Sequence, residues 1–404
     1  MIPSQRQFSV AVVGAGPAGL TAAVALAGTG VATALIAGRP RHAPDNRTTM
    51  LLAGSVTALD TLGVWTNCRS QAEPLSLMRI IDDTARLLRA PEISFEASEI
   101  GLAAFGHNIE NRYLTASLMA RARDLPALSV IEDDVAEVVI EDAAVTLRLT
   151  GDGSLAARLV IGADGRRSLC RAAAGIDTEG WRYPQTALTF NFVHSRPHHG
   201  ISTEFHTEAG PFTLVPLPGR RSSLVFVVDP ADADRIAALP DADLSAEIER
   251  RSHSILGKIE VEPGRGVFPL AVETARSFGG RRVALVGEAA HVLPPIGAQG
   301  LNLGLRDAAT VAELVVAAHR ASGDVGADAL TARYEHMRRA DVTSRTLAVD
   351  LLNRSLLSDF LLLQGARGLS FALLHRIGPL RRAAMREGVT PAASQPQLMR
   401  GEVL

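Results

Sequence analysis

Near its start the chain runs a short apolar segment, Phe8-Ser9-Val10-Ala11-Val12-Val13, straight into Gly14-Ala15-Gly16-Pro17-Ala18-Gly19 and then into the alanine-rich stretch Leu20 to Ala27. Such a run before a glycine turn reads as a buried parallel strand, and the alanines after it read as a helix packed on that strand. The glycine spacing narrows the fold most. Gly14 permits a tight turn, Gly16 lets the backbone approach a pyrophosphate, and Gly19 lets the helix lie close to the strand. Pro17 and Ala18 lie within the glycine turn that enters the helix, whose free N–H groups and dipole suit a phosphate. A second apolar run, Val31-Ala32-Thr33-Ala34-Leu35-Ile36, closes a strand–helix–strand unit. A lone glycine pattern is weak evidence, but with this strand before it and this helix after it the pattern predicts dinucleotide binding. One usual part is missing. The residue after the second strand is normally an acid that holds the ribose, and here Ala37, Gly38 and Arg39 stand there. The ribose then falls to backbone, water or another side chain, with Asp45 poorly spaced for the task.

Two further strand–turn–helix entries follow. Arg158-Leu159-Val160-Ile161 leads into Gly162-Ala163-Asp164-Gly165, which alone would pass for an ordinary Asp-Gly turn. Val283-Ala284-Leu285-Val286 leads into Gly287-Glu288-Ala289-Ala290-His291, a Pro294-Pro295 turn and the glycine-rich helix entry Gly297-Ala298-Gln299-Gly300-Leu301-Asn302. The helix start gathers free backbone N–H groups and the positive end of the dipole, which suit an electron-rich ring or an anionic phosphate. A simple nicotinamide dehydrogenase needs only the first of the three entries. No second complete glycine pattern of the first kind appears, so a nicotinamide cofactor has no dedicated domain of its own.

Composition removes several alternatives. The 404 residues suffice for a large core and two joined domains. A formal net charge of −2 gives no reason to expect nucleic acid as a partner. Lys258 is the only lysine, a compositional bias rather than a site. Cys68 and Cys170 lie far apart without metal-ligand spacing, so neither a disulfide nor a metal site is expected, in keeping with a reducing cytoplasm. The polar start Met1 to Gln7 does not read as a signal peptide. No apolar stretch approaches the roughly 20 residues of a membrane span. Leu351 to Leu374 comes nearest, and Arg354, Asp359 and Arg367 interrupt it. The expectation is a cytoplasmic protein, with peripheral contact at the inner face of the membrane left open.

The middle of the chain changes period. Ala187 to Val193, Ile201 to His206, Phe212 to Leu217 and Ser223 to Val228 are spaced as an antiparallel sheet, with Leu77 to Phe95 as a further strand. One face of that sheet would wall a pocket. Tyr183, Gln185, His194, Glu204 and His206 are its polar candidates, and spacing selects none of them as a base. Toward the end, Leu352, Leu356, Phe360 and Leu363 fall at helical spacing before a basic cluster of Arg376, Arg381, Arg382 and Arg386. An interfacial membrane helix and a helix packed on the protein, with its arginines in solvent, fit this pattern equally.

The 287–307 segment resembles the second flavin motif of single-component flavin hydroxylases of the para-hydroxybenzoate hydroxylase type, and 158–171 resembles their Asp-Gly motif. Asp45-Asn46-Arg47-Thr48-Thr49 is similar to the family segment whose arginine reaches the cofactor, and Asn111 occupies the place of an amide that touches it. Tyr183 to Leu188, Gly210 to Pro218, the Gly-Glu-Ala-Ala-His form, Arg339-Ala340-Asp341 and Asp350 to Arg354 further resemble the UbiH/UbiF group of ubiquinone-biosynthesis hydroxylases. The likeness covers nearly the whole chain. It implies an α/β fold: a Rossmann-like FAD-binding domain from 1–75, 105–178 and 274–349, a discontinuous antiparallel-sheet substrate domain from 76–104 and 179–273, and a C-terminal helical tail, 350–404.

The resemblance assigns FAD contacts to Gly14, Gly16, Pro17, Ala18, Gly19, Arg39, Arg47, Asn111, Asp164, Gly165, Glu288, Gly300, Leu301 and Asn302. Glu288 stands where the family usually has aspartate, one methylene longer, and would still reach the ribityl chain. The backbone N–H groups of Leu301 and Asn302 would flank the flavin's pyrimidine edge, while Pro295 and Gln299 would line the reaction pocket. His291 fits a structural role. The implied reaction uses NAD(P)H to reduce FAD and O2 to form a C4a-hydroperoxyflavin, which hydroxylates a hydrophobic prenylated phenol without a metal. Other quinone-biosynthesis proteins and a second copy of the chain are candidate partners. Two rival readings stand beside it: a hydroxylase or epoxidase of another hydrophobic aromatic or polyketide substrate, and a catalytically silent FAD-binding scaffold, which Ala37 and Glu288 keep open.

Overall fold

A computed structural model describes residues 6–38, 47–85, 89, 91–357, 377–389 and 395–404. Its first sheet grows from the strand Arg6–Val13, paired in parallel with Thr33–Ile36 on one side and Ser154–Gly162 on the other. Leu128–Ile131 extends the first side and Val283–Leu285 the second, both in parallel. The chain thus steps outward in one direction and then crosses to the other. The reversal lies between Arg6–Val13 and Ser154–Gly162, and sheets of this kind bind ligands beyond the carboxyl ends of the strands at such a point. Val10, Ala11, Val12, Leu159, Val160 and Ile161 are fully buried, as expected for central strands covered on both faces. The helices Pro17–Gly28 and Gln299–Arg320 pack on each other against this sheet.

The second sheet centres on the long strand Thr178–His194, flanked by Arg221–Val228 and Gly266–Ala275. Beyond Arg221–Val228 come Pro211–Leu217, Ile201–His206, Leu77–Asp82 and Ile93–Glu96. The region expected to give one strand between Leu77 and Phe95 therefore gives two. One face of the sheet is aromatic: Phe190, Phe205, Phe212 and Phe226 lie under the helices Pro230–Ala237 and Asp241–Arg251, against Ile236, Leu244 and Ile248.

A small third sheet of Thr48–Leu52, Gly106–Glu110 and Ala72–Leu75, not foreseen from the sequence, joins the two halves. Thr48 Oγ1 donates to Ser223 Oγ at 2.8 Å, and Asn108 Nδ2 donates to the Pro216 carbonyl at 2.9 Å. Buried Glu110 accepts from Asn191 at 3.3 Å and from Arg221 at 3.2 Å. Arg221 also grips Glu262 at 2.6 Å, and its bonds to Glu262 and Glu110 raise its pKa despite burial.

The helix Asp328–Leu357 crosses residue 350 without a break, so the helical tail does not begin there as a separate element. Its far end ties to the second sheet: Tyr183 donates its hydroxyl proton to Asp350, and Asn353 Nδ2 donates to Gln185 at 3.0 Å. Arg381 is neither solvated nor free for a membrane. Its Nε donates to Glu99 at 2.6 Å and its guanidinium lies 4.6 Å from the Phe95 ring centre, while Arg382 and Arg386 are exposed. Phe360, Leu363, Arg376 and the side chains of Leu352 and Leu356 lie outside the described residues. The chain then returns to the first domain, where Leu398 and Met399 join its core. Among the described residues no helix is long and apolar enough to cross a membrane.

Candidate functional site

Val13, Gly162 and Leu285 stand side by side at the ends of three adjacent parallel strands, so the three glycine turns begin in one place. Backbone bonds hold them together: Ala163 N–H donates to the Val13 carbonyl at 2.8 Å, and Val286 N–H to the Gly162 carbonyl at 2.9 Å. Gly14 has φ +110°, and a Cβ there would lie 2.3 Å from the Ala163 oxygen. A Cβ on Gly19 would meet the Gly14 oxygen at 2.1 Å and the Ala163 Cβ at 2.8 Å. Gly19 thus secures the contact of the helix with the first two turns rather than with the strand alone. Ala18 faces the third: a Cβ added to Gly287 or Gly304 would lie 3.3 Å from its own. By contrast, a Cβ on Gly16, Gly165 or Gly300 would meet nothing within 4 Å. Those three glycines present open backbone.

The helices that start here are electrostatically unspent. Neither Pro17–Gly28 nor Gln299–Arg320 has a side-chain cap or an acid in its first turn, so the free N–H groups and the positive dipole ends remain available. Ala298, just before the second helix, sits at φ 54°, a costly conformation for a residue with a Cβ. Asp164 accepts from Cys170 N–H at 3.1 Å through Oδ2, while its buried Oδ1 has no partner. Glu288 is exposed, and among the described residues no bond holds its carboxylate. Pro295 is exposed; Gln299 is buried, donates to the Gly297 carbonyl at 2.9 Å and leaves Oε1 unpartnered. Open glycines, uncapped helix starts and an unused carboxylate oxygen fit a large ligand that carries both phosphate oxygens and hydroxyl donors.

The sequence assigned a ligand only to the backbone of Asn302, and its side chain has a separate task. It is fully buried, accepts from Leu52 N–H at 2.9 Å and Ser55 Oγ at 2.7 Å, and donates to the carbonyls of Met50 at 2.8 Å and Ala298 at 2.6 Å. Its whole hydrogen-bonding capacity is used. The side chain locks Thr48–Leu52 onto the helix and leaves only the backbone N–H for a ligand.

His291 also has a structural place. Its Nε2 lies 2.6 Å from Asp307 Oδ2, which accepts from Gly287 N–H at 3.0 Å as well. Asp307 Oδ1 accepts from Arg338 at 2.7 Å, and Asp341 holds both Arg338 at 2.8 Å and Arg306 at 2.9 Å. Burial alone would raise the Asp307 pKa, but His291 and Arg338 overcome it and hold the carboxyl at about 2. The Arg339-Ala340-Asp341 segment thus supplies, through Asp341, part of the buried scaffold beneath the third turn.

The remaining candidates are dispersed. Arg47 is exposed, with its guanidinium 5.3 Å from the Phe268 ring centre on the second sheet. Asn111 opens the helix Asn111–Arg123 and accepts from Thr49 Oγ1 at 2.7 Å. Arg39 and Asp45 lie outside the described residues. His194 is bonded at both ring nitrogens, to the Arg196 carbonyl at 2.7 Å and Ser222 Oγ at 3.0 Å, and burial lowers its pKa. Sequence reading missed Asp134. A Cβ on Gly38 would lie 2.5 Å from its Oδ1, so the turn that follows the neighbouring strand Leu128–Ile131 brings an acid to the edge where Ala37 provides none. The pairing of Ile36 with Ile131 creates that proximity, and no local signal announces it.

Residues 7–347 match the family model described as FAD binding domain. Over 407 aligned residues the chain is 35% identical to ubiquinone hydroxylase UbiL of Rhodospirillum rubrum, covering 98% of this chain and 94% of that protein. It is 30% identical to 3-demethoxyubiquinol 3-hydroxylase of Escherichia coli K12, covering 95% of this chain and 98% of that protein. Among solved structures, p-nitrophenol 4-monooxygenase PnpA from Pseudomonas putida DLL-E4 superposes with a TM-score of 0.79 over 95% of this chain and 98% of that chain. At 19% identity that likeness is one of fold.

Proposed function

The chain belongs to the FAD-dependent hydroxylases that share this FAD-binding domain, and from that premise we propose that it hydroxylates the ring of a prenylated phenol in ubiquinone biosynthesis, with NAD(P)H and O2 as co-substrates. It is an FAD-dependent monooxygenase, an oxidoreductase that places one oxygen atom in its substrate. Full-length similarity to two ubiquinone-pathway hydroxylases supports the pathway. The observation that carries the reading is the convergence of three turns with open glycines at the sheet's reversal point.

When bound, FAD supplies hydride uptake from NAD(P)H and activation of O2 at its C4a position. The chain's residues do the rest. Gly14 to Gly19 and the uncapped start of Pro17–Gly28 would seat the pyrophosphate, with Asp164 and Gly165 beside it and Asp134 near the ribose. Glu288 is free to bond the ribityl hydroxyls. The N–H groups of Leu301 and Asn302, fixed by the Asn302 side chain, would stabilise negative charge on the reduced ring. Arg47 and Asn111 stand at the junction of the domains, and Pro295 and Gln299 would exclude water from the pocket.

Mass spectrometry of quinone intermediates in a deletion strain tests the reading: an under-hydroxylated prenylphenol should accumulate. Normal quinone levels without a redundant hydroxylase would overturn the pathway.

A further inference from the structure

Cross-strand pairing sorts the second sheet onto two faces, because residues directly opposite each other point the same way. The aromatic face lies under the helices. The other face is pinned to the nucleotide domain at two places. Asn191, Arg221 and Ser223 bond Glu110 and Thr48 at one. At the other, buried Ala187 and Val227 belong to a cluster against which Leu293 packs, next to the Pro294-Pro295 turn.

Between these places runs one row across four strands: Glu204 opposite Thr213, Thr213 opposite Val225, Val225 opposite Thr189. All four keep part of their surface exposed, whereas Ser223, Asn191, Ala187 and Val227 on either side are buried. An accessible row between mostly buried ones, Val215 being half-buried, on a face that meets another domain, can serve as the wall of a pocket between the two. Thr213, Val225 and Thr189 make it fit for a flat apolar ring, and Glu204 places one carboxylate at its end.

That carboxylate is held on both oxygens. Oε1 lies 2.7 Å from His206 Nε2, and Oε2 accepts from Thr213 Oγ1 at 3.2 Å. Burial favours the neutral acid, but His206 and Thr213 together keep the pKa below the usual carboxylate range. Leu77–Asp82 and Pro211–Leu217 flank this strand. Of their ionisable side chains, Asp82 shares the face, opposite His206, and Arg79 lies on the other face, bonded to Thr203 at 3.0 Å.

Resting on the hydroxylase reading, we propose that Glu204 hydrogen-bonds the ring hydroxyl of the substrate and takes its proton, with His206 positioning the carboxylate. The hydrogen bond to the carboxylate pushes electron density from the ring oxygen onto the neighbouring ring carbons and makes them more nucleophilic. As one of them takes up the oxygen atom, the ring hydroxyl becomes strongly acidic: its O–H bond breaks, the proton joins a Glu204 oxygen, and the electron pair stays on the ring oxygen. The proton transfer itself changes no oxidation state.

The test uses the FAD-loaded enzyme with 2-geranylphenol and its methyl ether as probes. Binding is read from the flavin spectrum. Wild type should bind the phenol about tenfold tighter than the ether, the size expected of a hydrogen bond to a charged group, and E204A should lose that preference. E204Q should be reduced by NAD(P)H at the normal rate, hydroxylate about 100-fold more slowly, release H2O2 instead, and lose the acid limb of its pH–rate profile. E204D should recover part of the activity. FAD stoichiometry and unfolding midpoints equal to wild type show that the variants fold. E204A with an unchanged preference, or E204Q hydroxylating at the wild-type rate, overturns the assignment while leaving the hydroxylase reading intact. A wild-type enzyme that never couples NAD(P)H oxidation to hydroxylation of the phenol overturns both.

Discussion

Replacing Asp307 with asparagine tests whether the buried ion network holds the third turn in place. The carboxylate joins three segments: Gly287 N–H, the His291 ring and the Arg338 guanidinium. All are buried, so removing the negative charge leaves Arg338 with less compensation, and breaking such a pair costs about 3–5 kcal/mol. Part of that cost titrates. The Asp307 pKa is about 2 in the folded protein against about 3.9 in an unfolded chain, a difference worth about 2.5 kcal/mol. Because the folded pKa is the lower one, this stabilisation is fully present above pH ~4 and is lost as pH falls through about 2, with about half gone by pH 3. Urea unfolding of FAD-free wild type and D307N at pH 7, 5 and 3 measures both parts. FAD must be absent because a bound ligand shifts the midpoint by mass action. The gap should be about 3–5 kcal/mol at pH 7 and should shrink by about 1 kcal/mol at pH 3. A gap under about 1 kcal/mol at pH 7, or one that does not change with pH, would refute the reasoning.

Four other substitutions separate fold from ligand. Gly16→Ala should fold with a near wild-type midpoint, since its Cβ meets nothing, yet lose FAD affinity in fluorescence titration; Gly19→Ala should lose about 1–3 kcal/mol of stability in the FAD-free protein through overpacking. Glu288→Gln, at an exposed and unbonded site, should change stability by under about 0.5 kcal/mol while weakening FAD binding, and unchanged FAD affinity would remove Glu288 from the ribityl assignment. Asn302→Ala should cost about 3 kcal/mol in urea unfolding, because it orphans buried groups of Met50, Leu52 and Ala298, and should shift the flavin absorption bands as the helix start loosens.

What could be read from the sequence depended on whether a feature was local. Gly14, Gly16 and Gly19 act within a few residues of each other, and their spacing carried the first turn directly. The other two turns were legible for the same reason, each with its own strand before it. Their meeting was only inferable, since it requires Val13, Gly162 and Leu285 to be neighbours across strands far apart in the chain. Asn302 shows the opposite limit. Its position in a glycine-rich helix start pointed to a ligand through its backbone, but nothing local announced that its side chain bonds Leu52 and Met50, about 250 positions away. The tail was expected to begin at 350, but Asp350 lies inside a continuous helix and is bonded to Arg354 there and to Tyr183 of the second sheet.

The sheet's polar residues were the hardest to rank because strand parity within one segment does not say which face meets which domain. Glu204 and His206 share a face by their spacing of two, which the sequence already contains. That this face looks toward the nucleotide domain follows only from pairing Glu204 with Thr213, Thr213 with Val225 and Val225 with Thr189, and from the bonds of Ser223 and Asn191 on the same face. A shift of one residue between Ile201–His206 and Pro211–Leu217 would turn Glu204 under the helices, beside Phe212 and Phe226, and turn Phe205 out of the aromatic face. There an ionised carboxylate would face an aromatic core at a prohibitive desolvation cost. The aromatic alternation therefore fixes the register, and the register in turn puts the carboxylate on the domain-facing wall. A register shift engineered by deleting one residue of Ile201–His206 should accordingly abolish folding rather than merely move the acid, which far-ultraviolet circular dichroism and the yield of soluble protein would show.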